Sequence, residues 1–173
     1  MDKWTKGIVG LVLLAACLHT AGCGGVPGEL RVATGEAARA VNEADVLATA
    51  QYEARRVELR EELRRMAREG RLASVEAGLS WYDAQEEPYA VADRVLTAAA
   101  GSLRAVELAL DAWDAGESDA PNRVGDALAC SVAAVAEVVA VLPALGLDVP
   151  EALRTWGTLI AQYASSGCPE GGE

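Results

Sequence analysis

The chain has 173 residues, of which 51% are hydrophobic and 24% charged, and its formal net charge is −11. This much apolar sequence excludes an intrinsically disordered protein, and the length suits a single domain. The acidic balance argues against binding to nucleic acid, because a phosphate backbone is held by Lys and Arg side chains that displace its counterions.

The first residues have the shape of a secretory signal. Lys3 and Lys6 precede an uninterrupted apolar run from Gly7 to Leu18. That run is about half of the roughly 20 residues that a membrane-spanning helix needs. We therefore expect a cleaved signal peptide and not a permanent transmembrane segment.

Two cysteines follow in sequences that resemble the lipobox of bacterial membrane lipoproteins. The residues Leu14-Ala15-Ala16-Cys17 match better, and Thr20-Ala21-Gly22-Cys23 is the second candidate. Acylation of Cys23 would leave an even pair of cysteines, whereas acylation of Cys17 would leave three. The signal peptide spans residues 1–22, or 1–16 if Cys17 is the acylated residue, and a soluble secreted protein is the alternative.

The lipobox resemblance implies a location and no activity. Neither cysteine is followed by Asp, which in bacterial lipoproteins implies no retention in the inner membrane and favours the outer membrane, if the cell has one. Acyl chains supply about 0.8 kcal/mol per buried methylene, enough for stable attachment to the membrane. Small helical lipoproteins of bacteria and their phages look broadly similar, but the resemblance covers only the first two dozen residues.

The remaining sequence predicts helices nearly throughout, since Ala is abundant and only two Ile occur. After a tether over residues 23–35, a bundle of helices occupies residues 36–167 and a tail residues 168–173. The first apolar stripe runs at steps of three, four or seven residues and includes Ala37, Val41, Ala44, Ala48, Tyr52, Leu59, Leu63 and Met66. Beyond Gly70 it resumes to Trp81, which predicts one long bent helix or two collinear helices.

Three further helices follow at short spacing. Pro88 is expected in the first turn of the second helix, where it is tolerated, and that helix ends near Gly116. The third is apolar almost all round between Ala127 and Leu142, so we expect it inside the bundle; a membrane span from Ala127 is the less favoured alternative, because Glu137 would lie near mid-bilayer. A capping box formed by Asp148 and Glu151 opens the last helix. The fold class is therefore all-α, an up-and-down bundle of about four helices whose long first helix protrudes.

The last two helices predict a disulfide. If the chain turns near residues 146 and 147, Cys168 returns to within a short fold-back of Cys130. Such a bridge would close 37 intervening residues and stabilise the fold by about 3 to 4 kcal/mol. The alternative is a buried thiol at Cys130 and a free Cys168 in the tail.

The residues needed for common catalytic and metal sites are missing. His19 is the only His and lies in or beside the signal, which excludes a Ser-His or Cys-His mechanism in the mature domain. The acidic group Asp111, Asp114, Glu117 and Asp119 does not match a calcium-loop spacing and indicates a solvated turn. Glu86 and Glu87 are interpreted as helix-capping charges. We predict no catalytic residue, no metal and no cofactor.

Two surfaces are candidates for binding. Trp81, Tyr82, Tyr89 and Trp113 are typical of a core at this spacing, and a ligand groove between helices is the alternative. The segment from Gln51 to Arg71 holds seven Arg and five Glu. It predicts an exposed helix face with ion pairs such as Glu61 to Arg65, or a docking strip for an acidic partner or anionic lipid headgroups. The strip comprises Arg56, Arg60, Arg64 and Arg68.

These observations lead to a non-enzymatic, lipid-anchored envelope protein that binds another envelope protein through a helical bundle. The alternative is a helical module that binds a small apolar or peptide ligand between its helices. The charge is unevenly distributed: residues 29–71 hold nine Arg and nine acids, whereas residues 72–173 hold four Arg and 16 acids. The sequence does not determine an oligomeric state.

Overall fold

The computed structural model describes residues 28–160, and within this range the chain is all-α without strands. Helix α1 spans Gly28–Arg68, α2 Val75–Asp114, α3 Ala120–Val141 and α4 Glu151–Ile160. A single 3₁₀ turn, Leu142–Leu145, connects α3 to the loop before α4. The predicted up-and-down bundle of about four helices with a long first helix is confirmed.

Helices α1 and α2 form an antiparallel hairpin, so the predicted continuation of the first helix through Gly70 is wrong. Gly70 adopts a left-handed conformation at φ 66°, which terminates α1, and Ser74 then caps a new helix. The Ser74 hydroxyl accepts a hydrogen bond from the backbone N–H of Ala77 at 3.2 Å. The apolar stripe resumes beyond Gly70 because α2 needs an apolar face against α1, and not because the helix continues.

The second helix begins 13 residues before Pro88, so the predicted start at that proline is also wrong. Pro88 is exposed in the interior of α2, where it removes one backbone hydrogen bond of the helix. Contacts with α1 hold the helix on both sides of it. Tyr52 donates a hydrogen bond to Glu86 at 2.8 Å, and its ring lies 5.2 Å from that of Tyr89.

We expect Pro88→Ala to raise the free energy of unfolding by about 2 kcal/mol. Pro costs about 3 kcal/mol relative to Ala inside a helix, and roughly 1 kcal/mol of that gain is lost because the unfolded chain becomes more flexible. Urea denaturation followed by circular dichroism measures the change. Ala90→Gly, an exposed substitution two residues away in the same helix, should instead lower stability by about 1 kcal/mol. A destabilised Pro88→Ala variant would contradict a continuous α2.

The hydrophobic core occupies only one half of the hairpin. A helix of about 40 residues is roughly 60 Å long, whereas the 22 residues of α3 reach about half as far. Helix α1 contributes Ala37, Val41, Ala44 and Ala48 to the core, and α2 contributes residues between Ala92 and Trp113. From α3, the 3₁₀ turn and α4 it is completed by Ala120, Val124, Leu128, Val135, Val138, Leu142, Leu145, Leu153, Trp156 and Ile160.

The other half consists of two helices alone, as the prediction of a protruding first helix requires. We call residues 52–88 the projecting hairpin. Only Leu59, Met66 and Gly78 are buried within it, and the turn after α3 meets α1 just below it, where Gln51 donates a hydrogen bond to the carbonyl of Leu145. The protrusion therefore comprises the end of α1 and the start of α2.

Helix α3 is buried on one face and not all round. Val124, Leu128, Ser131, Val135 and Val138 point into the core. The opposite face is exposed and consists mostly of small residues such as Ala133, Ala136 and Ala140. It also carries the charged Glu137. By length and hydropathy the stretch Ala120–Leu145 would suit a membrane span, as the core helix of a soluble protein also would.

Both ends of the bundle differ in detail from the prediction. Helix α1 begins at Gly28, inside the expected tether, and its Arg31 forms ion pairs with Asp111 and Asp114 of α2 at 2.9 and 2.6 Å. Helix α4 begins at Glu151 and buries Leu153, Trp156 and Ile160. No side-chain hydrogen bond of Asp148 is present among the described residues, so the expected capping box does not form there.

Candidate functional site

The predicted docking strip divides into two parts on the projecting hairpin. Arg56 is only 33% exposed and contacts Glu53 at 3.3 Å and Glu86 at 3.8 Å. Its guanidinium lies 5.4 Å from the centre of the Tyr52 ring, a favourable cation–π distance. Arg56 is therefore engaged within the chain.

The other three arginines are exposed and form no ion pair with any described residue. We call Arg60, Arg64 and Arg68 the arginine strip. The remaining arginines of this segment, Arg55, Arg65 and Arg71, pair with Glu58, Glu62 and Glu69. Arg65 pairs with Glu62 at 3.7 Å, so the predicted pair with Glu61 is wrong.

The arginine strip places like charges four residues apart along one helix ridge. Each step of four residues turns about 40° around the helix, so the side chains are neighbours. Like charges at this spacing destabilise a helix by roughly 0.2 to 0.5 kcal/mol per pair. The helix macrodipole favours a cation in the last turn, where Arg68 lies, but its effect falls off within that turn and leaves Arg60 and Arg64 uncompensated.

A groove between α1 and α2 lies where the projecting hairpin leaves the four-helix core. We call it the tyrosine groove; its volume is about 440 Å³. The phenol O–H of Tyr52 donates to the Glu86 carboxylate at 2.8 Å, and the rings of Tyr52 and Tyr89 are tilted by 36°. Its lining residues are Asp45, Ala48, Thr49, Tyr52, Glu53, Glu86, Tyr89, Ala90, Asp93 and Leu96. The groove is lined by two aromatic rings and four carboxylates, of which Glu53 and Glu86 already contact Arg56, and this composition favours an organic cation.

The Glu86 carboxylate raises the pKa of Tyr52 above its ordinary value of 10.0, because it accepts a hydrogen bond from the protonated phenol. Partial burial acts in the same direction. Since the folded-state pKa is raised, the stabilisation is present below pH 10 and is lost as the pH rises through the folded-state value.

We therefore expect Tyr52 to ionise above its ordinary pKa. The difference between the 295 nm absorbance titrations of the wild type and Tyr52→Phe isolates this group. In Glu86→Gln the pKa should fall back toward 10, whereas Glu87→Gln, one residue away, should leave it unchanged. A Tyr52 pKa that does not respond to Glu86 would contradict the hydrogen bond.

The structure separates the four predicted aromatic residues. Trp113 is buried in the core and Trp81 and Tyr82 are half-buried on the projecting hairpin, so of the four only Tyr89 lines the groove. The sequence places Tyr52 on the apolar stripe of the first helix and gives no sign of its role in the groove. Its position on that stripe is correct, but the core ends just before it, so its ring meets Tyr89 at the groove.

Several acidic residues that were expected in a solvated turn or at a helix start have partners within the chain. Asp111 and Asp114 hold Arg31, and Glu117 pairs with Arg123. Glu86 is not a capping residue, because it lies inside α2 and contacts Tyr52 and Arg56. Glu87 also lies inside α2 and pairs with Arg94 at 3.8 Å.

The cysteine predictions fall largely outside residues 28–160. Cys17, Cys23 and Cys168 are not among the described residues, and neither is His19. Cys130 is half-buried on α3. The acylation site and the bridge from Cys130 to Cys168 stay predictions. Within residues 28–160 no three His, Cys, Asp or Glu side chains group closely enough to hold a metal ion.

Comparison with known proteins gives no relative. No family model matches the chain, and no curated protein or solved structure is significantly similar to it.

Proposed function

We propose that this chain is a lipid-anchored envelope protein without enzymatic activity that binds an acidic protein surface through its projecting hairpin. The observation that carries the proposal is the arginine strip, three exposed guanidinium groups with no carboxylate partner among residues 28–160. Arginine is suited to this role because its planar fork binds carboxylates through two hydrogen bonds.

The position of the strip supports a protein partner over the membrane that holds the anchor. Arg60 lies 32 residues beyond Gly28 along an unbroken helix, a distance of about 48 Å. The proposed acyl anchor precedes Gly28, so the anchor does not by itself hold the strip at the lipid headgroups beside it. Electrostatic attraction to headgroups falls off within about 10 Å at ordinary salt.

Photocrosslinking in cells tests this proposal. p-Benzoylphenylalanine placed at Ala67, an exposed residue beside the strip, should give a crosslinked protein product in the membrane fraction. Reversing all three charges, Arg60→Glu with Arg64→Glu and Arg68→Glu, should reduce that product about tenfold or more, since loss of a few exposed charge pairs exceeds 1.4 kcal/mol together.

The matched control changes the same number of charges elsewhere. Arg104, Arg123 and Arg154 are each paired within the chain, with Glu107, Glu117 and Glu151, and their reversal should leave the product unchanged. Co-sedimentation of the purified full chain with phosphatidylglycerol vesicles separates the lipid alternative. Strip-dependent vesicle binding without a protein product would overturn the proposal in favour of headgroup binding.

The tyrosine groove favours a second candidate function, the binding of a small organic cation or a peptide that carries one. Its volume of about 440 Å³ lies in the range of small-molecule sites. Benzyltrimethylammonium is a suitable probe for calorimetry, and Tyr89→Ala should abolish its binding while Tyr82→Ala retains it. Absence of any binding heat from the wild-type chain would remove this candidate.

A further inference from the structure

We infer that the partner of the arginine strip is a second copy of this chain, docked antiparallel so that each strip lies on the tyrosine groove of the other copy. This inference rests on the proposed function, because it names the acidic surface that the strip would bind. It follows from the charges, spacing and exposed apolar residues of the hairpin itself.

The groove offers unpaired carboxylates to match the unpaired arginines. Asp45 and Asp93 line it and form no ion pair with any described residue. Glu53 and Glu86 line it too, and there they hold Arg56 against the Tyr52 ring. The groove thus already accommodates one guanidinium and retains acidic groups at its other end.

The acids and arginines are spaced symmetrically about one point on α1. Because Tyr52 lies beside Tyr89 in the antiparallel hairpin, Asp93, four residues further along α2, lies level with residue 48 of α1. Measured along α1, the three acids Asp45, Asp93 and Glu53 therefore lie at the levels of residues 45, 48 and 53. The three arginines of the strip lie at residues 60, 64 and 68. The midpoints of Asp45 with Arg68, of Asp93 with Arg64 and of Glu53 with Arg60 all fall at residues 56 to 57.

A two-fold axis at that point would bring all three pairs together twice. Glu53 contacts Arg56 but its side chain is 63% exposed, so it would then hold two guanidinium groups. An interface of this kind is isologous, since the same surface is used by both copies. Asp45, Thr49, Glu53 and Val57 follow one another at four-residue steps, and each step turns only about 40° around the helix, so they form one ridge that can lie along the other copy. Val57 is 57% exposed and would meet its own copy at the axis.

The antiparallel arrangement also minimises repulsion between two acidic proteins. Residues 28–51 and 89–160, which form the four-helix core and its loops, carry 14 acids against six Arg, whereas the projecting hairpin carries nine acids against seven Arg. With antiparallel hairpins the two cores lie at opposite ends, and each arginine strip lies beside the acidic core of the other copy. A parallel pair would instead place the cores, and the strips, against each other.

Crosslinking of the full chain in its membrane tests the inference. p-Benzoylphenylalanine at Val57 should yield a product of twice the monomer mass that contains both of two differently tagged copies. Reversing the strip, with Arg60→Glu, Arg64→Glu and Arg68→Glu, should reduce it about tenfold or more. Reversing the acids, with Asp45→Arg, Glu53→Arg and Asp93→Arg, should have the same effect.

Co-expression of the two reversed variants provides the decisive measurement. Their surfaces are again complementary, so the mixed product should return to near the wild-type amount, which general unfolding of either variant cannot produce. Reversal of Arg104, Arg123 and Arg154 serves as the control of equal charge and should have no effect. If co-expression does not restore the mixed product, the assigned pairing is overturned.

The outcomes separate this inference from the proposed function. A strip-dependent crosslink to a different protein, without a product of twice the monomer mass, would overturn self-association and leave the proposed function standing. No strip-dependent protein crosslink from either Val57 or Ala67 would overturn both.

Discussion

Leu103→Ala is expected to lower the free energy of unfolding by about 3 to 5 kcal/mol, the upper part of the range for buried leucines. Leu103 is 0% exposed and lies in the part of α2 that packs in the four-helix core. The core of which it is part contains many short side chains, such as Ala99 one turn earlier on α2, which cannot expand to fill the space. The cavity would therefore remain, and its cost adds to the lost transfer free energy.

Urea denaturation of the detergent-solubilised protein measures this effect, with Leu108→Ala as the control. Leu108 lies on the same helix but is 54% exposed, so its replacement should change stability by less than about 0.5 kcal/mol. Leu59→Ala should fall between the two: Leu59 is 0% exposed, but only two helices surround it and they can move closer. Equal losses at positions 103 and 108 would contradict the described core.

Cys17→Ser is expected to abolish acylation of the chain entirely. A thiol is required for the thioether of a lipoprotein, and Ser cannot replace it. Without acyl chains, each methylene that no longer enters the bilayer forfeits about 0.8 kcal/mol. Metabolic labelling with an alkyne fatty acid followed by gel fluorescence reports acylation directly, and Cys23→Ser serves as the matched variant that should retain the label.

The opposite pattern would assign the anchor to Cys23, and a label retained in both single variants and in the double variant would contradict a lipoprotein. Peptide mapping of the same samples without reductant tests the bridge from Cys130 to Cys168. If Cys17 is acylated, Cys23 should then carry the unpaired thiol, whereas free thiols at both Cys130 and Cys168 would contradict the disulfide.

The sequence alone could not predict which arginines of the candidate site are paired or that the tyrosine groove forms. The seven arginines between Gln51 and Arg71 are visible in the sequence, but which of them are paired depends on side-chain geometry and on α2. Arg56 is held by Glu86 across the hairpin, a contact between residues 30 positions apart. The tyrosine groove required the same information, because Tyr52 and Tyr89 meet only after the chain reverses.

The sequence by itself determined the features that depend on local chemistry and periodicity. Abundant Ala and apolar residues at helical spacing specify helices, Gly116 ends α2, and α4 begins at Glu151 with its apolar face inward. These features depend on backbone propensity and on burial of one stripe, and both can be assessed from neighbouring residues. The predicted secretory signal likewise rests on a local pattern.

Only the tertiary structure decided where the chain turns and which surfaces remain exposed. A glycine such as Gly70 can bend, end or simply weaken a helix, and packing of α2 against α1 selected the turn. A proline is often found in the first turn of a helix. Pro88 nevertheless lies in the interior of α2, where contacts with α1 hold the helix on both sides of it. Helix α3 reaches only half the length of the hairpin. The apolar face of α1 is therefore buried in the core near Ala48 but lines the tyrosine groove at Tyr52, and the arginine strip beyond it stays exposed.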